Sequence, residues 1–359
     1  MVSAVPLHVP YRVRYCVRFG AKPRGRRAKV IHASGLTKTF KSKNHAIEAV
    51  TGVDIDVAEG ELVAFLGPNG AGKSTTLRML TTLLTPTSGT ATVAGCDIRS
   101  DPAGVRRRIG FIGQGNGAGH YQYVRDELVV QGYAYGLRRR EAHRRADELL
   151  ATLHLDSMRN RTSSTLSGGQ RRRLDIALGL VHRPPLLFLD EPSTGLDPHS
   201  RANLWEHVLE VREQFGTTIF LTTHYLEEAD TMAERVIIID HGEVIADDTP
   251  EALKAGLAGD RIAITVEDAT DRSRATELAK LITGAADPTG DGDTVVLRAP
   301  NGTAALPAYL RALDEAGIAV GTAEVARPTL DDVFLSLTGR SLREDAGEAA
   351  NPALAEVAA

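Results

Sequence analysis

Cysteine is nearly absent from the 359-residue chain, which has only Cys16 and Cys96. A disulfide scaffold and a multi-cysteine metal site are therefore excluded, and a reducing interior fits. No uninterrupted apolar run approaches the ~18 residues a bilayer crossing needs, so the chain is not expected to span a membrane unaided. No apolar leader-like stretch stands near the start, so a secretory signal is not expected. Acid is missing from residues 1–30, which hold eight bases (Arg12, Arg14, Arg18, Lys22, Arg24, Arg26, Arg27, Lys29). The remaining 34 bases face 46 acids, so the body sits near −12 and has no overall pull toward nucleic acid or anionic lipid. Lysine is scarce throughout, 8 against 34 arginines, so the arginines of the first segment carry no special meaning. We read residues 1–30 as a basic, disordered arm.

With 42% apolar and 25% charged residues, the chain has the balance of a soluble globular protein, long enough for two or three domains. From 31 to 254, apolar strands alternate with amphipathic stretches. Leu62–Leu66, Leu186–Leu189, Thr218–Leu221 and Val236–Ile239 are short continuous apolar runs, as strands buried on both faces of a parallel sheet require. Between them, Arg138–Leu150 and Ser200–Phe215 read as helices with one apolar stripe. A Gly/Ala texture near Ala255–Asp260 suggests a linker into a small α+β domain over 255–340. Its expected strands are Arg261–Val266, Thr294–Arg298 and Ile318–Val325, and its expected helices Ala275–Thr283, Leu306–Ala316 and Thr329–Thr338. The Ala-rich, acidic segment 341–359 is expected to be disordered.

Gly67-Pro68-Asn69-Gly70-Ala71-Gly72-Lys73-Ser74-Thr75 fits the phosphate-loop spacing, with a buried strand before it and an expected helix through Leu77, Leu80 and Leu83 after it. The glycines let backbone N–H groups turn inward as an anion nest, and the helix N-terminus adds partial positive charge. Lys73 supplies a point charge for phosphates and Ser74 a hydroxyl for Mg²⁺. In Leu186-Leu187-Phe188-Leu189-Asp190-Glu191, Asp190 emerges at the C-terminal end of a buried strand, where it can hold Mg²⁺. Glu191 is placed to accept a proton from water; a Glu merely capping the next turn is the alternative. Leu166-Ser167-Gly168-Gly169-Gln170 opens another helix and offers a second anion-binding N-terminus. One triphosphate does not need two such termini within one chain, whereas a symmetric dimer does.

The order of these elements, Gly67–Thr75, Gln114, Leu166–Gln170, Asp190-Glu191, Ser193-Thr194-Gly195-Leu196-Asp197 and His224, resembles the ATP-binding cassette superfamily across residues 31–250. The resemblance implies a P-loop α/β cassette with a mostly parallel core sheet, an antiparallel β subdomain and a helical subdomain, followed by the small C-terminal domain. It implies that Phe40 stacks on adenine, where a packed strand residue is the alternative, and that Gln114 touches Mg²⁺ and the attacking water. It implies that Ser167, Gly168, Gly169 and Gln170 meet the ATP of a second copy and that Asp197 joins the two composite sites. His224 would contact the γ-phosphate; a buried structural histidine is the alternative. Glu191, Lys73, Gln114 and His224 are thus the expected catalytic set, with ATP and Mg²⁺ as cofactors and a homodimer as the working unit.

Val181-His182-Arg183-Pro184, the run Thr222–Asp230 and Pro328-Thr329-Leu330-Asp331-Asp332-Val333-Phe334-Leu335 are similar to the daunorubicin-resistance ATP-binding family. That resemblance implies the ATPase of an exporter of drugs, polyketides or lipids, peripheral on the cytoplasmic face of the membrane. A separate six-helix permease would contact the cargo. An importer ATPase and a soluble non-transport cassette are the alternatives; the Asp331–Phe334 ending and the Glu227–Asp230 run favour export. No Asn-Lys-x-Asp guanine-reading motif is present. Tyr121, Tyr123, Tyr133 and Tyr135 are half of the eight tyrosines and suit either a partner surface or tertiary packing. Three features depart from the family pattern: the glycine-rich run Gly113–Gly119, Ser74 in place of the commoner Thr, and the basic arm.

Overall fold

The computed structural model describes residues 28–339 apart from 42–45, 116, 257–258, 284–291 and 300. Most of the basic arm, part of the expected linker and the tail from 341 lie outside the described residues. The arm's last residues differ from expectation: Lys29 and Val30 already belong to the first strand, and Lys29 pairs with Asp56 at 2.8 Å.

The chain opens with β1 (Lys29–Lys41), β2 (Ala46–Ala58), β3 (Leu62–Leu66) and helix α1 (Lys73–Leu80). Then come β4 (Ser88–Val93), β5 (Cys96–Asp97), α2 (Pro102–Arg108) and β6 (Ile109–Ile112). A helical stretch follows with α3 (Val124–Ala134), α4 (Arg139–Thr152) and α5 (Gly168–Leu180). Next stand β7 (Leu186–Asp190), α6 (Pro198–Phe215), β8 (Thr218–Thr223), α7 (Leu226–Met232), β9 (Arg235–Asp240), β10 (Glu243–Asp248) and α8 (Pro250–Ala255). The last part holds β11 (Asp260–Val266), α9 (Arg272–Thr283), β12 (Thr294–Ala299), α10 (Gly302–Glu315), β13 (Val320–Ala326) and α11 (Leu330–Thr338).

The continuous apolar runs form the middle of a six-stranded sheet ordered β10-β9-β3-β8-β7-β6, parallel except for the β9–β10 pair. Every residue of β3, β7 and β8 is buried, as a sheet covered on both faces requires. Strand alternation sorts β3 between two cores. Leu62, Ala64 and Leu66 face a helical layer with Leu174 and Trp205, while Val63 and Phe65 face α1 and the antiparallel sheet β2-β1-β4-β5.

A third core joins β12-β11-β13 to α9 and α10 around Ile262, Ile264, Leu297 and Tyr309. The final helix behaves otherwise. Leu330, Val333 and Phe334 of α11 enter the larger core with the cassette helices. An Arg298–Asp332 ion pair of 2.7 Å ties the helix back to β12.

One expectation fails locally. Helix α1 stops at Leu80, Thr82 turns at a φ of 63°, and Leu83 is 57% exposed rather than continuing the buried stripe.

Candidate nucleotide-binding and catalytic site

Strand β3 delivers the chain at Gly67 to the C-terminal edge of the parallel sheet. A Cβ on Gly67 would lie 2.3 Å from the Ile239 carbonyl oxygen, and Gly72 turns into α1 at a φ of 103°; both positions therefore require glycine. Gly72 caps α1 without any side-chain bond to its first N–H groups, which leaves a helix N-terminus available to an anion. Lys73 is buried and donates to the carbonyls of Gly67 at 2.8 Å and Pro68 at 3.0 Å. Burial pulls its ammonium below the ordinary lysine value, with the carboxylate of Glu191 opposing that shift.

Asp190 ends β7, paired in register with Thr222 of β8. Its Oδ1 accepts from Ser74 Oγ at 3.0 Å and Thr222 Oγ1 at 2.7 Å. Gln114 Nε2 reaches Ser74 Oγ at 3.5 Å. Ser74 and Asp190 thus bring a hydroxyl and a carboxylate oxygen to one place, donors that suit a hard divalent cation such as Mg²⁺, and the Gln114 amide stands beside them.

Glu191 follows in the left-handed region at a φ of 44°, and its N–H is held by Thr222 Oγ1 at 3.0 Å. This turn aims the carboxylate between the Lys73 ammonium and the His224 ring. Oε1 lies 3.3 Å from Lys73 Nζ, and Oε2 lies 3.3 Å from His224 Nδ1. Burial alone would raise the carboxyl, but the His224 ring and the Lys73 ammonium outweigh it and hold the pKa down at about 2. Glu191 is ionised at neutral pH and only 10% exposed.

Lys73, Ser74, Gln114, Asp190, Glu191 and His224 therefore form one connected cluster. The other expected site residues stand apart from it. Ser167 caps α5 through a reciprocal bond with Gln170, so the Gln170 side chain is engaged at its own helix start. Asp197 caps α6 and accepts from Ser200 N at 2.9 Å. Phe40 is half-buried on β1, outside the core, with Lys38 Nζ 5.3 Å from its ring. Tyr121 and Tyr123 are mostly exposed, whereas Tyr133 and Tyr135 are more than half covered; Tyr133 meets His143 edge-on and Tyr135 stacks on His182 at 3.7 Å.

The sequence reading overlooked Thr222. It stands near the end of β8, two residues before His224, and that closeness in sequence was the available signal.

Among the described residues one further cluster has metal-like spacing, His154, His207 and Glu210. Arg173 Nη1 lies 3.1 Å from His207 Nε2 there, so a guanidinium already stands against that ring.

The ABC transporter family profile matches residues 50–194, and that of the DrrA1-3-like ATP-binding protein C-terminal domain matches residues 249–338. The chain is 42% identical over 325 residues to daunorubicin resistance ATP-binding protein DrrA2 of Streptomyces coeruleorubidus, covering 89% of this chain and 98% of that one. The chain belongs to the ATP-binding cassette (ABC) transporter family. Within that family it is also 41% identical over 309 residues to doxorubicin resistance ATP-binding protein DrrA of Mycobacterium tuberculosis, covering 85% and 92% of the two chains. A dimeric post-hydrolysis structure of the ATP-binding cassette MJ0796 bound to ADP and Pi superposes with a TM-score of 0.56 at 28% identity, covering 61% of this chain and 98% of that one. The expected cassette fold is thereby borne out. Like other ABC ATPases this one binds ATP, and among its described residues no helix is long and apolar enough to cross a membrane.

Proposed function

We propose that this ABC ATPase powers an exporter of the drug, antibiotic, polyketide or lipid class by hydrolysing MgATP at the Lys73–Glu191 cluster. The observation that carries the reading is the ionised, buried Glu191 held between Lys73 and His224 beside the Ser74–Asp190 pair. Residues Gly67–Thr75 cradle the phosphates with backbone N–H groups and the α1 N-terminus. Ser74, Asp190 and Gln114 hold Mg²⁺, which supplies charge neutralisation on the phosphates when bound. Glu191 takes the proton of the attacking water, and Lys73 and His224 stabilise the charge that develops. Phe40 carries adenine.

The Ser167–Gln170 segment and Asp197 serve the site of a second copy, since neither reaches this chain's own cluster; the dimeric MJ0796 structure supports that reading. ATP shared between two copies holds them together, and hydrolysis releases them. The names of the relatives, daunorubicin and doxorubicin resistance, support export. We assign 31–254 to the cassette and 255–340 to an accessory unit. The partner is a separate six-helix permease that contacts the cargo and holds the ATPase on the cytoplasmic face of the membrane; nucleic acid is not a partner.

The test is to recover tagged Glu191→Gln protein with ATP from solubilised native membranes and identify what accompanies it by mass spectrometry. A six-helix membrane protein at about one copy per cassette is expected. Recovery with soluble proteins alone would overturn the exporter reading and leave the ATPase chemistry standing.

A further inference from the structure

The glycine-rich run after Gln114 finds its partner on α5. Arg172 and Asp175 are one turn apart on that helix, both nine-tenths or more buried. Asp175 Oδ1 accepts the backbone N–H groups of Gly117 at 2.9 Å and Ala118 at 3.2 Å. A Cβ on Gly117 would sit 3.3 Å from that oxygen, so glycine there permits the close approach. Arg172 Nη1 donates to the Gly113 carbonyl at 2.7 Å, immediately before Gln114. The same guanidinium donates to the carbonyls of Asp190 at 3.4 Å and Pro192 at 2.8 Å, on either side of Glu191. Arg172 Nη1 stands 4.0 Å from Asp175 Oδ2.

Two buried charges are costly unless their bonds are made. Here every hydrogen bond described for them runs to backbone flanking Gln114 or Glu191. We propose that Arg172 and Asp175 are positioning residues that fasten the Gln114 loop and the Glu191 turn to α5, so that hydrolytic geometry depends on where this helix sits. The helix begins just after its cap Ser167, in the segment assigned above to the partner copy's nucleotide. Approach of that copy therefore reaches Gln114 and Glu191 through one rigid body. This inference rests on the nucleotide-site reading given above.

The test compares Asp175→Ala, Asp175→Asn and Arg172→Lys in the full chain, reading amide exchange without nucleotide and steady-state MgATP hydrolysis. Loss of two bonds to a buried carboxylate should speed exchange at Gly117 and Ala118 by about tenfold or more in Asp175→Ala, with β7 and α5 unchanged. The turnover number should fall about tenfold while KM stays within about threefold, because neither residue touches the phosphate loop. Asp175→Asn keeps an acceptor oxygen and should recover most of the rate; Arg172→Lys loses the fork that spans the two loops and should not.

Faster exchange with unchanged turnover would overturn the proposal. So would faster exchange spread over α5 and β7 with turnover and KM failing together, the mark of a merely structural pair. Lys73→Ala separates the underlying reading: full activity there sinks the nucleotide site and this proposal with it. An inactive Lys73→Ala beside a fully active Asp175→Ala sinks this proposal alone.

Discussion

Replacing Glu191 with Gln preserves shape and removes one charge from the most tightly connected part of the site. Two effects should separate cleanly. Loss of the proton acceptor should lower MgATP hydrolysis by roughly 10²–10⁴-fold. Lys73, buried and 3.3 Å from the lost carboxylate, also forfeits its counter-charge. The gap between the ordinary carboxyl value of 4.5 and the folded value of about 2 corresponds to roughly 3 kcal/mol of stability at neutral pH.

The sign follows from the depressed folded value. The contribution is fully present above about 4.5 and is lost as pH falls through about 2, so about half should remain at pH 3. Without nucleotide, the variant should therefore melt below the wild type at pH 7, and the difference should shrink as pH falls from 5 to 3. MgATP returns an anionic partner to Lys73, so it should raise the variant's melting temperature more than the wild type's and hold the variant as a dimer on a sizing column. Hydrolysis within threefold of wild type, or a melting difference insensitive to pH, would refute the reasoning.

Three further outcomes are expected. Gly67→Ala forces a methyl onto the Ile239 carbonyl and should abolish ATP binding or folding, read by nucleotide titration and circular dichroism. Joint truncation of the exposed Tyr121 and Tyr123 to Ala should leave basal hydrolysis within about twofold while permease-dependent stimulation is lost; a fall in basal hydrolysis would show that the tyrosines are structural. Phe334→Ala empties a fully buried position where α11 meets the cassette and should cost about 3–5 kcal/mol in denaturant unfolding. A loss below ~1 kcal/mol would mean that the helix contributes little to that core.

Local chemistry was legible in the sequence where neighbours along the chain are neighbours in the site. The phosphate loop and the Asp190-Glu191 pair follow from one strand, one turn and one helix each, and the buried runs of β3, β7 and β8 announced the parallel sheet. What escaped depends on partners far apart. Nothing near Arg172 or Asp175 says that their bonds go to Gly113, Gly117 and Pro192, because those contacts exist only once β6 and β7 lie side by side. Helix α11 was visible as an amphipathic segment, but its place in the cassette core rather than the third core comes from contacts with α7 and α8, elements far from it along the chain. Leu83 was misplaced because its spacing continued a helical stripe that the turn at Thr82 had already ended.

That choice by α11 bears on how the chain is made. A ribosome delivers residues in order, so every strand of the parallel sheet emerges well before Leu330, Val333 and Phe334. Until those three arrive, the apolar socket that receives them stays open to solvent and to passing hydrophobic segments. The intervening β11–β13 unit has its own core and can close first. A late-made helix thus covers a core laid down much earlier, and a chain broken before Leu330 lacks the three side chains that fill that part of it.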